Sequence, residues 1–168
     1  EYGGAEALRY SVRFASGFAW GRGGTLPGIY TRRNLRVSCG WRGGGIGHVS
    51  TNLPEAQVTR IGVWHFIPGQ WHFVTMVRLA SPTRLLVYVD EHPVALIGVM
   101  DPPCERSQQV TNVVATYRPP SVIQDVAASN EVLEGRLGIL LTVFYGGKTE
   151  DWAAPRDSTI DVGGFALL

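Results

Sequence analysis

Four histidines, two cysteines and a cation set made almost entirely of arginine are the residues of this chain best equipped for chemistry. His48, His65, His72 and His92 are scattered, and no pair sits at a metal-ligand spacing with a third partner nearby. Cys39 and Cys104 lie far apart in the chain and fit one disulfide or two free thiols equally well. The sequence therefore predicts no metal site and no cofactor. His72 follows Trp71 at a strand start, where it either lines a cleft or packs as a hydrogen-bonded structural histidine, and the second role is the commoner one. No nucleophile-elbow pattern supports a Ser-His-Asp triad. The run GRGGTLPG at 21–28 lacks the Gly-Lys-Ser/Thr ending of a phosphate loop, and no helix follows it, so it reads as a structured turn between strands. Trp20, Trp41, Trp64, Trp71 and Trp152 suggest the aromatic surfaces on which sugars stack, yet most fall at apolar strand phases where core packing is the default. Lys148 is the sole lysine, and an Arg-rich cation set suits planar contact with carboxylates or phosphates.

The elements that must position these groups have a period of two almost everywhere. Segments 7–14, 34–41, 58–66, 71–79, 84–90, 93–100, 110–117 and 137–144 are rich in Val, Ile, Leu and aromatic residues, with Gly, Pro, Ser or Asn between them. At 34–41 Leu35, Val37, Cys39 and Trp41 share one face while Asn34, Arg36 and Ser38 share the other. No stretch has a long capped helical period; 126–134 has room for a short helical turn at most. Glycines cluster at 21–24, 43–47 and 146–147 and read as loops or bulges. Many short strands with frequent turn signals predict an all-β sandwich or jelly roll.

At 168 residues the chain reads as a single domain, 1–168, able to bury its own core without a disulfide or metal. Hydrophobic content of 45% argues against disorder. A net charge of +1 with no basic stripe speaks against nucleic-acid binding. No apolar run is long enough to form a membrane span, and no signal peptide opens the chain. The first residue is Glu1, which suggests a processed product or a piece of a larger protein or assembly.

Several fragments, in order, resemble the jelly-roll polysaccharide lyases that act on alginate and glucuronan, a concanavalin-like fold. FASGFAWGRGGTLPGIY at 14–30 is similar to the approach into that family's Gly-Gly-Lys-Leu-Pro-Gly turn. SCGWRGGGIGHVSTNLP at 38–54 resembles its next strand pair, and GQWHFVTMVRL at 69–79 its Gly-x-Trp-His strand. LLVYVDEHPV at 85–94 resembles the following hairpin, with Asp90 matching, and TVFYGGKTEDWAAP at 142–155, with a closing strand ending near Phe165, its C-terminal signature.

The resemblance implies the fold but not the chemistry. Such a lyase neutralises a uronate carboxylate, removes the adjacent proton and protonates the leaving oxygen. The family's turn lysine falls on Thr25, its arginine on Ser38, and its tyrosine pair on Ser50 and Asn52. None of these replacements carries a charge or titrates in the useful range. No tyrosine occurs between Tyr30 and Tyr88, whatever the alignment. What remains for the groove is Thr25, Arg36, Ser38, His48, Ser50 and Asn52, with no catalytic set. The expected function is a non-catalytic module on an extracellular or particle surface, either binding an acidic polysaccharide or serving as architecture such as a viral capsid projection. The competing expectation is a lyase with a relocated apparatus: His48 or His72 as base, Tyr88 or Tyr145 as acid, Arg36 as carboxylate clamp.

Overall fold

The structure, a computed structural model, describes residues 7–31, 34–54, 56–80, 83–99, 137–145 and 156–168. The sequence-predicted strand at 110–117, the turn at 126–134, Cys104 and Trp152 lie outside them.

Among the described residues, eleven strands build two antiparallel sheets. They are β1 (Ala7–Phe14), β2 (Gly23–Tyr30), β3 (Arg36–Arg42), β4 (Gly47–Thr51), β5 (Ala56–Arg60), β6 (Trp71–Ala80), β7 (Thr83–Val89), β8 (His92–Val99), β9 (Gly138–Leu140), β10 (Phe144–Tyr145) and β11 (Ile160–Leu167). The large sheet runs β11-β1-β6-β7-β8-β5; the small sheet runs β10-β2-β3-β4, with β9 also paired to β2. Among the described residues there is no α-helix, only a 3-10 turn at Gly43–Gly45. No helix is long and apolar enough to cross a membrane among them.

The two sheets pack face to face, and strand alternation decides which side chains meet. On β1, Leu8, Tyr10, Val12 and Phe14 are fully buried while Arg9, Ser11 and Arg13 point away. On β3, Leu35 and the strand positions Val37, Cys39 and Trp41 are fully buried, as the alternation predicts. The sheets are stitched at Tyr10, whose hydroxyl donates to the Pro27 carbonyl at 2.8 Å, and at Phe14, whose ring meets Trp41 edge-on at 5.3 Å. Each large apolar side chain buried this way contributes about 1.5–3 kcal/mol. This is a β-sandwich held by a shared apolar layer, with Cys39 a free, buried thiol inside it.

Three strand assignments differ from the sequence reading. The glycine-rich run at 21–28 is not a turn: from Gly23 it is β2, at the centre of the small sheet. Pro27 is tolerated there because the pairing with β3 shifts between Thr25 and Gly28, so the residue without an N–H falls in a bulge. The same irregularity splits the expected strand at 137–144. β9 pairs with β2 up to Leu140↔Gly28 and β10 resumes at Phe144↔Thr25, leaving residues 141–143 opposite the bulge. The strand expected at 58–66 ends at Arg60, because the chain leaves the large sheet and bonds instead to the β3–β4 connection. There the Gly47 N–H donates to the Trp64 carbonyl and the Phe66 N–H to the Gly45 carbonyl.

Candidate functional site

The register of the small sheet places all six sequence-predicted groove residues, Thr25, Arg36, Ser38, His48, Ser50 and Asn52, on its outer side, opposite the core. Three cross-strand rows define that face. One runs Gly138–Tyr30–Arg36, with Asn52 beside Arg36. The next runs Leu140–Gly28–Ser38–Ser50, and the third Phe144–Thr25–Gly40–His48. Arg42 continues the phase of Arg36 and Ser38 on β3 beyond the third row. Glycines at 28, 40 and 138 keep the floor low. A Cβ on Gly28 would lie 1.9 Å from the Val37 carbonyl oxygen, so no larger residue fits without moving β3.

The six residues are not equivalent. Arg36 and Ser50 are exposed, Thr25 and His48 half-buried, and Ser38 is buried mid-row. Among the described residues the Arg36 guanidinium pairs with no carboxylate, and the face carries no acidic side chain. Asn52 is already committed: its Oδ1 accepts from the Arg36 N–H at 2.6 Å and its Nδ2 donates to the Asn34 carbonyl at 2.9 Å. It pins the start of β3 and has little left for a ligand. The His48 ring lies over Gly40, and its buried Nδ1 has no hydrogen-bond partner among the described residues. Burial pushes the His48 pKa down, and the Arg42 and Arg60 guanidiniums push the same way, so the ring is neutral at pH 7.

Two contributors escaped the sequence reading. Tyr30 is 47% exposed and shares the first row with Arg36. Arg42 adds a second exposed cation roughly 20 Å from Arg36 along the strand, at ~3.3 Å per residue. Tyr30 becomes visible only once 23–30 is recognised as a strand whose register continues into β3, whereas Arg42 is the next outward residue of β3 itself.

The relocated lyase apparatus is not assembled from the residues expected to form it. His72 is buried on the core side of the large sheet; its Nε2 accepts from the Ile67 N–H at 2.9 Å and its Nδ1 meets Asp90 at 2.7 Å. That is a satisfied structural histidine. Tyr88 pairs with Thr75 on the outer face of the large sheet, on the other side of the molecule. The Tyr145 hydroxyl donates to the Ala19 carbonyl, and burial raises its pKa. His48 and Arg36 do share a face, but their rows are separated by about 13 Å of strand.

The tryptophans also divide. Trp41 is fully buried, and Trp20 and Trp64 pack partly against the core. Trp71 is 45% exposed, but on the outer face of the large sheet, beneath the Arg13 guanidinium. Among the described residues no group of three or more His, Cys, Asp or Glu side chains is placed to hold a metal ion.

No protein family, curated protein or solved structure matches the chain.

Proposed function

We propose that the outer face of the small sheet is a binding groove for an acidic polysaccharide, carried on a jelly-roll scaffold of the polysaccharide-lyase type that lacks lyase chemistry. The observation that carries this reading is the charge pattern of one flat face. Arg36 and Arg42 stand toward its ends, neutral hydroxyls of Thr25 and Ser50 lie between them, and none of the described acidic side chains lies on that face. Arginine favours carboxylates because its planar fork donates to both oxygens at once, and hydroxyls bind sugar oxygens without adding charge. The family's lysine and tyrosine pair are replaced by Thr25, Ser50 and Asn52, so the groove keeps the means to hold a polyuronate but not to break it.

The module then serves a larger protein or particle surface by recognising a glycan. The test is calorimetric titration with alginate, glucuronan and a neutral polysaccharide while ultraviolet absorbance follows unsaturated chain ends. Saturable binding of the acidic polymers without product supports the reading. Steady product formation would revive the β-eliminating lyase. No binding at all, with assembly onto a scaffold, would favour a purely architectural role.

A further inference from the structure

We infer that Tyr30 and Arg36 form a single uronate subsite at one end of the groove, Tyr30 as the platform for the sugar ring and Arg36 as the clamp for its carboxylate. The inference rests on the groove reading above and names the chemistry of one position within it.

The pair is set by register. Tyr30, the last residue of β2, lies directly across from Arg36, the first residue of β3, and across from Gly138 on its other side. Both side chains stand on the outer face, on neighbouring strands ~4.8 Å apart. Gly138 is what fixes the tyrosine. A Cβ there would fall 2.3 Å from the Tyr30 Cζ and 2.4 Å from its Cε1, so the phenol occupies the space that any other residue's side chain would take. One side of the ring is thereby held against backbone, and 47% of the residue remains open to solvent. An aromatic ring immobilised in this way loses little further entropy when a pyranose packs on it.

Arg36 is fixed from its backbone. The Asn52 amide accepts its N–H and ties Asn34 alongside, while the guanidinium itself meets no carboxylate among the described residues. An exposed arginine thus stands on the strand next to a held aromatic residue, whose ring rests over β9. The two offer each feature of a uronic acid a partner: a platform for its apolar ring face and a fork for the planar anion at its edge. Leu140 in the adjacent row and Phe144 in the next extend the apolar margin on the β9–β10 side, whereas Ser50 lies on the polar β4 side. The subsite therefore has an apolar flank and a charged flank, which orients a sugar chain as well as holding it.

The experiment is calorimetry with a uronic-acid oligosaccharide and its carboxyl-reduced, neutral counterpart, using the wild-type chain and the variants Tyr30→Ala, Tyr30→Phe and Arg36→Ala. Matching circular dichroism and melting temperature establish that each variant is folded. Arg36→Ala is expected to weaken the acidic oligomer by about tenfold while leaving the neutral one unchanged. Tyr30→Ala is expected to weaken both by a similar factor, and Tyr30→Phe to retain binding. If the wild type binds and both alanine variants bind equally well, the subsite is overturned while the groove reading stands. If the wild type binds neither oligomer, the groove reading falls and the subsite with it.

Discussion

The Nδ1 of His72 stands 2.7 Å from a carboxylate oxygen of Asp90, while the Nε2 of the same ring accepts the Ile67 N–H at 2.9 Å. Because Nε2 is an acceptor, the proton resides on Nδ1 and is donated to Asp90. The second Asp90 oxygen accepts the Phe73 N–H at 2.8 Å. One carboxylate thus joins β6, the β7–β8 hairpin and the 61–70 segment, whose Trp64 packs against Gly47 next to His48.

Asp90→Asn keeps the shape and removes the charge from two hydrogen bonds. A loss of about 1.5–3 kcal/mol is expected, since hydrogen bonds to charged groups have that worth. Urea unfolding followed by tryptophan fluorescence measures it. A midpoint unchanged from wild type would show that the lock contributes nothing.

The same hairpin carries a correctable cost. Asp90 and Glu91 both have positive φ, 50° and 67°, as a two-residue turn between β7 and β8 demands. Aspartate tolerates this region, but glutamate is strained in it. Glu91→Gly is expected to stabilise the chain by up to about 1 kcal/mol. The check is a rise in melting temperature at neutral pH.

A half-buried histidine and a buried cysteine set opposite pH limits. The His48 pKa is lowered by burial and by Arg42 and Arg60, so folding resists its protonation. Its stabilising contribution is present above the ordinary histidine value of 6.5 and is lost as pH falls below it. His48→Gln is expected to flatten the onset of acid destabilisation just below that value. Burial pushes the Cys39 thiol from 9.0 up to about 12, so the folded state holds this proton more tightly than the unfolded state. Stability is therefore full below pH 9.0 and falls as pH rises from there toward 12, and Tyr10, also raised by burial, acts in the same direction. Denaturant midpoints across pH 5 to 11 test both arms in one series of about seven points. For the same reason Cys39 is expected to resist alkylation in the native state and to react once the chain is unfolded.

How far the sequence could be read depended on how regular each element is. β1, β3, β6, β7 and β8 stand within two residues of their expected bounds because they alternate cleanly around fully buried residues such as Val12, Val37 and Val87. β2 was hidden because its signal is inverted. Gly23, Gly24, Pro27 and Gly28 are turn residues by composition, yet Gly24 is required by the Trp41 ring, which would lie 2.3 Å from a Cβ there. The demand comes from the facing residue and not from local propensity. Arg36, Ser38, His48, Ser50 and Asn52 were legible as one strand phase once β3 and β4 were paired. Their differing roles were not, since only geometry reveals that Asn52 is spent on backbone while the Arg36 guanidinium meets no carboxylate among the described residues. Tyr30 went unnoticed because it ends the hidden β2, although its cross-strand partner Arg36 is only six residues away.

The central claim is that two arginines on one sheet face hold an acidic polymer that the protein does not cleave. The most direct measurement is the affinity of the wild type and of an Arg36→Ala/Arg42→Ala double variant for a uronic-acid oligosaccharide at rising salt, with ultraviolet absorbance recorded throughout. The two sites are far enough apart to add, so the double variant is expected to bind about a hundredfold more weakly. Wild-type binding is expected to weaken as salt rises, with no absorbance change. Equal binding by the two proteins, or steady growth of absorbance with the wild type, would contradict the account.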